Sequence, residues 1–205
     1  MYFVKPPWLV KKFYPDCVWD IKSSEKNIYL TFDDGPHPTI TGFVLDELKK
    51  YDAKATFFCI GKNVLAYQDV YQRIISEGHA IGNHTYDHLN GWKTDDDAYQ
   101  KNIMEASRVI KSILFRPPYG RITRSQLKKL RSAPVKLKII MWSVLSGDFD
   151  RKITGEKCYS NVITNTTPGS IIVFHDSEKA YDRLVYSLPL VLEYLSKKGY
   201  AFKSL

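Results

Sequence analysis

Residues Ile28–Pro36 read IYLTFDDGP. The run Ile28–Phe32 is apolar or β-branched throughout and has the length of a buried strand. Gly35-Pro36 closes it with a turn signal, and two acids, Asp33 and Asp34, stand between strand and turn. Further runs of the same kind are Ala55–Ile60, His79–Ile81, Ile113–Phe115, Leu137–Trp142, Ser170–Phe174 and Tyr200–Phe202. Helical periodicity lies between them. Ile40, Val44, Leu48 and Tyr51 mark a helix near Thr39–Tyr51, and a second runs near Asn63–Glu77, with Gly78 as its stop. The acids Asp95–Asp97 suit the positive end of a third helix, carried on through Ile103, Ala106 and Ile110. Thr123–Leu130 and Leu184–Lys197 read as helices as well.

Seven strands alternating with about six helices predict an α/β fold with a parallel sheet. The strands lack clean polar alternation, as they should when both faces are covered. An open doubly wound sheet and a closed barrel both follow from this pattern. The chain, at 205 residues, is short for an eight-stranded barrel, which takes roughly 250. A smaller or incomplete, TIM-like barrel fits seven strands. No linker splits the chain. Residues 1–27 precede the first strand, and Trp8, Phe13, Tyr14 and Trp19 predict that this extension packs on the barrel formed by 28–205.

Composition excludes several classes. No apolar run approaches the roughly 18–20 residues of a membrane span. The stretch MYFVKPPWLVKKFYPDC has no continuous apolar segment of the kind a secretory signal needs. The three cysteines, Cys17, Cys59 and Cys158, are odd in number and far apart. A reducing, cytoplasmic setting and a monomer are the expectations. The net charge of +8 comes from one segment: between Glu105 and Asp148 there are ten basic residues and no acid. Such a block raises nucleic acid as a partner, but no nucleic-acid motif accompanies it.

The reactive residues are sorted by position. Asp33 and Asp34 follow the first strand, His84 the third, Arg116 the fourth, Asp148 the fifth, and His175 and Asp176 the sixth. Parallel α/β folds gather their C-terminal strand ends on one edge and build chemistry there. His84 and His88, in HTYDH, have the spacing of two metal ligands on one helical turn. Taken alone, the more ordinary reading is a pair of loop histidines. Likewise DDGP alone is a solvated turn, and a lone histidine leaving a strand is as well read as a satisfied core group. Adjacent carboxylates repel unless a cation or arginine lies near; a metal and Arg116 would supply both charges. Two prolines after Arg116 stiffen its loop.

TFDDGP, HTYDH and RPPYG, followed by an apolar strand ending in histidine, in that order, resemble the polysaccharide deacetylase family (carbohydrate esterase family four, the NodB homology domain). The resemblance covers about Ile28 to Phe202. It implies a distorted parallel barrel and hydrolysis of N-acetyl groups on chitin-like or peptidoglycan-like polymers; some members remove O-acetyl groups from xylan. It implies that Asp33 is the catalytic base, that Asp34, His84 and His88 are metal ligands, and that Arg116 holds the base. The N–H of Tyr119 resembles an oxyanion donor and His175 the catalytic acid. The family's Asp-x-x-Asp-Trp stands here as Leu145-Ser146-Gly147-Asp148-Phe149. An aspartate thought to tune the acid is therefore absent at Leu145, with Asp148 or Asp176 as replacements. Phe149 takes the place of the pocket tryptophan and Val173 that of a leucine.

The expected activity is metal-assisted hydrolysis of an acetamide on an amino-sugar glycan, releasing acetate. One divalent ion is implied, zinc by preference for one carboxylate and two imidazoles; cobalt, nickel or manganese suit the same set. An O-acetyl esterase and a sugar-binding protein with little catalysis are the alternatives. In the basic block, Arg121 and Arg124 lie just past the Arg116 loop and border the expected cleft. The charge then points to an anionic wall polymer before nucleic acid.

Overall fold

The computed structural model describes residues 2–132 and 136–205. Eight strands occur among these residues: β1 (Asn27–Asp33), β2 (Ala55–Cys59), β3 (Ala80–Asn83), β4 (Leu114–Phe115), β5 (Lys138–Ile139), β6 (Val144–Leu145), β7 (Ile171–His175) and β8 (Ala201–Phe202). Seven of them run β5-β4-β3-β2-β1-β7-β6 as a curled parallel half-barrel, and β8 pairs with the start of β1. The helices are α1 (Trp8–Phe13), α2 (Ile40–Lys49), α3 (Gly61–Ala66), α4 (Gln68–Ser76), α5 (Asp96–Val109), α6 (Arg124–Ser132), α7 (Gly155–Asn165) and α8 (Tyr181–Lys197). The distorted, incomplete barrel expected from the sequence is the fold observed. No helix of the described residues is long and apolar enough to cross a membrane.

Strand β1 is central and organises both sides of the sheet. Ile28, Leu30 and Phe32 join the main core with Val44, Leu45 and Leu48 of α2 and Leu188, Leu192 and Leu195 of α8. Phe32 stacks on its register partners Phe57 and Phe174, with ring centroids 5.1 and 6.1 Å away. Successive side chains of a strand point to opposite faces, so Tyr29, Thr31 and Asp33 face the barrel interior. Two-sided burial of β1 explains why its sequence shows no simple alternation.

Several boundaries differ from the sequence reading. The helix expected over Asn63–Glu77 is two helices, parted at Tyr67 (φ −130°, ψ 57°). Only Lys138–Ile139 of the fifth run pairs with a neighbour in the sheet. Helix α7 was hidden in a polar stretch that buries only Cys158, Asn161 and Val162, and it is started by the Thr154 side chain, which accepts from the Lys157 N–H. Asp95 caps α5, accepting from the N–H groups of Asp97 and Ala98.

The segment before β1 lies along the open seam between β5 and β6. Val18 bridges Ile140 in parallel, Leu145 donates to the Val4 carbonyl at 2.8 Å, and Ile21 donates to Gly169. Cys17 and Trp19 are buried in a second apolar cluster with Phe115, Ile122 and Met141.

Candidate active site

Strands β1 and β7 are neighbours, and their last residues, Asp33 and His175, are register partners. A carboxylate and an imidazole thus stand side by side at one strand edge. Asp33 is almost fully buried. Its Oδ1 accepts from Arg116 Nη1 at 2.7 Å. Arg116 is fully buried, and each arm of its guanidinium has a partner. Nη1 also donates to Thr31 Oγ1 at 2.6 Å, Nε to the Ile140 carbonyl at 3.2 Å, and Nη2 to the Met141 carbonyl at 2.9 Å. The cation lies 4.1 Å from the Phe58 ring centroid. Such a network compensates a charge that burial would otherwise make very costly. It also leaves the Asp33 carboxylate one orientation.

The next residue, Asp34, leaves the strand with φ 83°, a left-handed conformation rare outside glycine. That twist sends its side chain away from Asp33. Asn63 holds the turn by donating to the Asp34 carbonyl at 2.8 Å. His84 Nε2 and His88 Nε2 face Asp34 Oδ1 at 3.7 and 3.1 Å. One ligand atom from each of the three residues lies within 4.8 Å of the others. Asp34 Oδ1 is buried and, despite the nearby imidazoles, makes no well-aligned hydrogen bond, an arrangement that suits a cation. The His84 Nδ1–H is directed at the Arg116 carbonyl 2.7 Å away, which leaves the Nε2 lone pair toward Asp34. Burial, opposed by Asp33 and Asp34, pushes the His84 pKa down to about 4, so the ring is neutral. These residues fit one divalent ion.

The two histidines do not meet on a helical turn, as their spacing predicts. Residues 84–88 form an irregular loop with Thr85 at φ 65° and His88 at φ 60°. Asn83 Oδ1 accepts the Thr85 N–H, and Asn102 Oδ1 accepts those of Tyr86 and Asp87. The ring centroids come to 5.2 Å. Among the described residues, four of the five non-glycine residues at positive φ (Asp34, Thr85, His88 and Tyr119) lie here, with Asp52 the exception. Backbone strain of this kind collects where function holds it.

His175 is gripped by Asp148 alone of the two replacements considered. Asp148 Oδ1 lies 2.7 Å from His175 Nδ1, and its Oδ2 accepts the His175 N–H at 2.6 Å. Buried Arg183 donates to the Asp148 carbonyl at 2.5 Å. Burial disfavours the imidazolium, but the charge and hydrogen bond of Asp148, aided by Asp34 and Asp33, push the pKa up to about 9. Asp176 takes no part. Its carboxylate accepts from the Gly35 N–H and the Thr41 hydroxyl and so ties the DDGP turn to α2. A side chain at Gly35 would collide with it. Leu145 has no carboxylate to offer and lines the cleft instead.

The cleft encloses about 420 Å³ and brings together Asp33, Asp34, His84, His88 and His175. Tyr119, Phe149 and Val173 line it too. The Phe149 ring stands edge-on to His175 at 5.2 Å and to Tyr2 at 5.0 Å. Tyr119 sits at φ 60° with its ring 4.6 Å from His88. Sequence reasoning missed Thr31, Asn63, Asn83, Asn102 and Arg183, which orient the reactive groups, and Tyr2, which closes the cleft from the far end of the chain. The inward parity of Thr31, two residues before Asp33, was the one signal available.

The family model described as Polysaccharide deacetylase matches residues 20–137. A peptidoglycan-N-acetylglucosamine deacetylase of Bacillus cereus is 35% identical across 90% of this chain and 88% of its own length. A chitooligosaccharide deacetylase of Azorhizobium caulinodans is 34% identical over 76% of both chains. Among solved structures, the Bc1960 peptidoglycan N-acetylglucosamine deacetylase, in complex with 4-naphthalen-1-yl-N-oxidanyl-benzamide, has a TM-score of 0.86 at 33% identity. The match covers 98% of this chain and 94% of that one.

Proposed function

The chain belongs to the polysaccharide deacetylase family, and on that premise we propose that it hydrolyses the acetamido group of N-acetylglucosamine units in a glycan, with acetate and a free amino sugar as products. One observation carries the reading: a held carboxylate, a three-residue metal cradle and a carboxylate-paired histidine surround a single cleft. Asp34, His84 and His88 are the ligands for one divalent ion, zinc by preference and cobalt, nickel or manganese on the same donors. Such an ion supplies Lewis acidity and lowers the pKa of water toward ~7.

The protein's own groups do the rest. Asp33 is anchored through Oδ1, which leaves Oδ2 to take the proton of the attacking water. The Tyr119 N–H donates to the oxyanion of the tetrahedral intermediate. His175, protonated at neutral pH through Asp148, gives its Nε2 proton to the leaving nitrogen. An amide needs that proton, since an amine anion is a very poor leaving group. The strong Asp148–His175 pair therefore favours N-deacetylation over ester hydrolysis. Phe149 and Val173 bound the space for the acetyl methyl group.

The test is acetate release from N-acetylglucosamine oligomers and from an O-acetylated xylan, with zinc-loaded protein. Faster release from the amide, abolished by Asp33→Asn, is expected. No acetate from either substrate would leave a glycan-binding protein as the surviving reading.

A further inference from the structure

Beside the catalytic cleft is a second cavity of about 510 Å³. The two are continuous: Tyr2, Tyr119, Gly120, Arg121, Trp142 and Leu145 line both. The outer wall of the second cavity is the N-terminal segment, chiefly Pro6, Pro7, Val10, Phe13 and Tyr14, which precedes the residues matched by the family model.

Its lining is aromatic and cationic, with no acid. Two guanidinium groups border it, those of Arg121 and Arg124. Arg121 lies 3.9 Å above the Trp92 ring, and Arg124 is 5.8 Å from that of Phe13. Stacking orients a guanidinium while leaving its N–H edge free for a planar anion. Neither arginine has a carboxylate partner among the described residues, whereas Lys129 and Arg131 of α6 pair with Asp97 and Asp16. Arg124 is moreover the first residue of α6, at the positive end of its dipole, where a cation is locally unfavourable. Trp92 and Tyr119 are more than half exposed and offer flat apolar faces to a sugar ring.

We propose that this cavity is a substrate subsite that binds a carboxylate-bearing neighbour of the acetylated sugar, and that the enzyme thereby selects an anionic glycan over a neutral one. The inference rests on the deacetylase reading of the adjoining cleft. A neighbour of this chemistry is N-acetylmuramic acid, whose lactyl ether ends in a carboxylate or in a peptide that carries carboxylates further out. Arg121 and Arg124 bind that acid by charge-assisted hydrogen bonds, and the aromatic walls hold the sugar. The basic segment thus acquires a local role, because two of its cations stand unneutralised where a glycan leaves the catalytic cleft.

Matched probes test it: an alternating N-acetylglucosamine–N-acetylmuramic acid tetrasaccharide and its lactyl methyl ester, and the peptide-bearing tetrasaccharide and its methyl esters. The full zinc-loaded chain is assayed for acetate release. For at least one pair, kcat/KM for the acid should exceed that for the ester by roughly tenfold, the scale of one charged hydrogen bond, mainly through KM. Which pair responds tells the lactyl acid from the peptide acid. The ratio should fall toward one in Arg121→Gln, in Arg124→Gln, and in added salt. Equal rates for both pairs in the unaltered protein, or a ratio that survives both substitutions, overturns the subsite. Acetate from none of the probes overturns the deacetylase reading instead.

Discussion

Asp148→Asn isolates the acid side of the site, because it keeps the side-chain shape and removes one charge. Asp148 holds His175 by two contacts, 2.7 Å to Nδ1 and 2.6 Å from the backbone N–H. Burial pulls the imidazole toward its neutral form, and Asp148, with Asp34 and Asp33, overrides it to reach about 9. Against an ordinary 6.5, that is about 3 kcal/mol in favour of the charged ring. Without the Asp148 charge, burial is opposed by Asp34 and Asp33 alone, and the pKa falls back toward the ordinary 6.5. At about pH 7.5 the protonated fraction then falls from nearly complete to roughly a tenth. The kcat for amide hydrolysis should fall ~10-fold there, and the ratio of variant to native should rise as the pH is lowered toward ~6. An aryl acetate, whose leaving group needs no proton, should lose less than about twofold. The sign of the stability effect follows as well. The folded pKa of His175 is raised above its unfolded value, so the pair stabilises fully below ~6.5 and the contribution is lost as pH rises through about 9. The melting deficit of the variant should therefore shrink above that pH. An unmoved basic limb in the pH–kcat profile, or equal losses on amide and aryl ester, would refute the assignment of His175 as the acid.

Asp34→Ala should reduce bound zinc from one per chain to a small fraction while the far-ultraviolet circular dichroism stays native; elemental analysis after gel filtration reads it, and undiminished metal would remove Asp34 from the ligand set. Arg116→Met leaves Asp33 buried without its cation and should lower the unfolding free energy by ~3–5 kcal/mol in urea. Adding Asp33→Asn should recover part of that, because the uncompensated charge goes with it; a double variant as unstable as the single one would show that the loss lies elsewhere. Burial, helped by Asp34, raises the Asp176 carboxyl to about 7. The folded state then holds its proton more tightly than the unfolded chain, so this group makes stability decline as pH rises from about 4 through 7. Asp176→Asn should flatten that decline in melting temperature, and a profile parallel to that of the native protein would contradict it.

What could be read in advance depended on whether a residue acts through its place in the strand pattern or through its partners. Asp33, His84, Arg116 and His175 follow strands, and parallel sheets collect such residues on one edge. The pairing of His175 with Asp148 across 27 residues depends on how β6 and its loop cross the end of β7, and β6 is a strand of two residues. No periodicity is visible at that length, so Asp148 and Asp176 looked interchangeable. The irregular HTYDH loop was hidden for a related reason. Its conformation is imposed by Asn83 and Asn102, and amides deep in a strand end or a helix look like ordinary polar residues in a sequence. Helix α7 escaped because its apolar face is short: Cys158, Tyr159, Val162 and Ile163 pack on the core among polar neighbours, and α8 is its main contact.

Arg116 ties the incompleteness of the barrel to its chemistry. A closed barrel satisfies the backbone groups of every strand by pairing with the next. Here β5 and β6, at the two ends of the sheet order, are not neighbours, and the chain between them has carbonyls facing the interior. Two of those carbonyls, of Ile140 and Met141, accept from the buried guanidinium, and the Val18 backbone pairs with the same segment. The arginine therefore bridges the seam with Nε and Nη2 and orients Asp33 with Nη1. Lysine, a point charge without the planar fork, can meet one of these demands and not both. Arg116→Lys should thus be more damaging than the retained charge implies: it keeps a cation for Asp33 but leaves interior carbonyls unpaired, which costs ~1–3 kcal/mol for each group. If the lysine variant unfolds in urea with the native midpoint and keeps native kcat, the seam is held by Val18 alone and the coupling of fold to base fails.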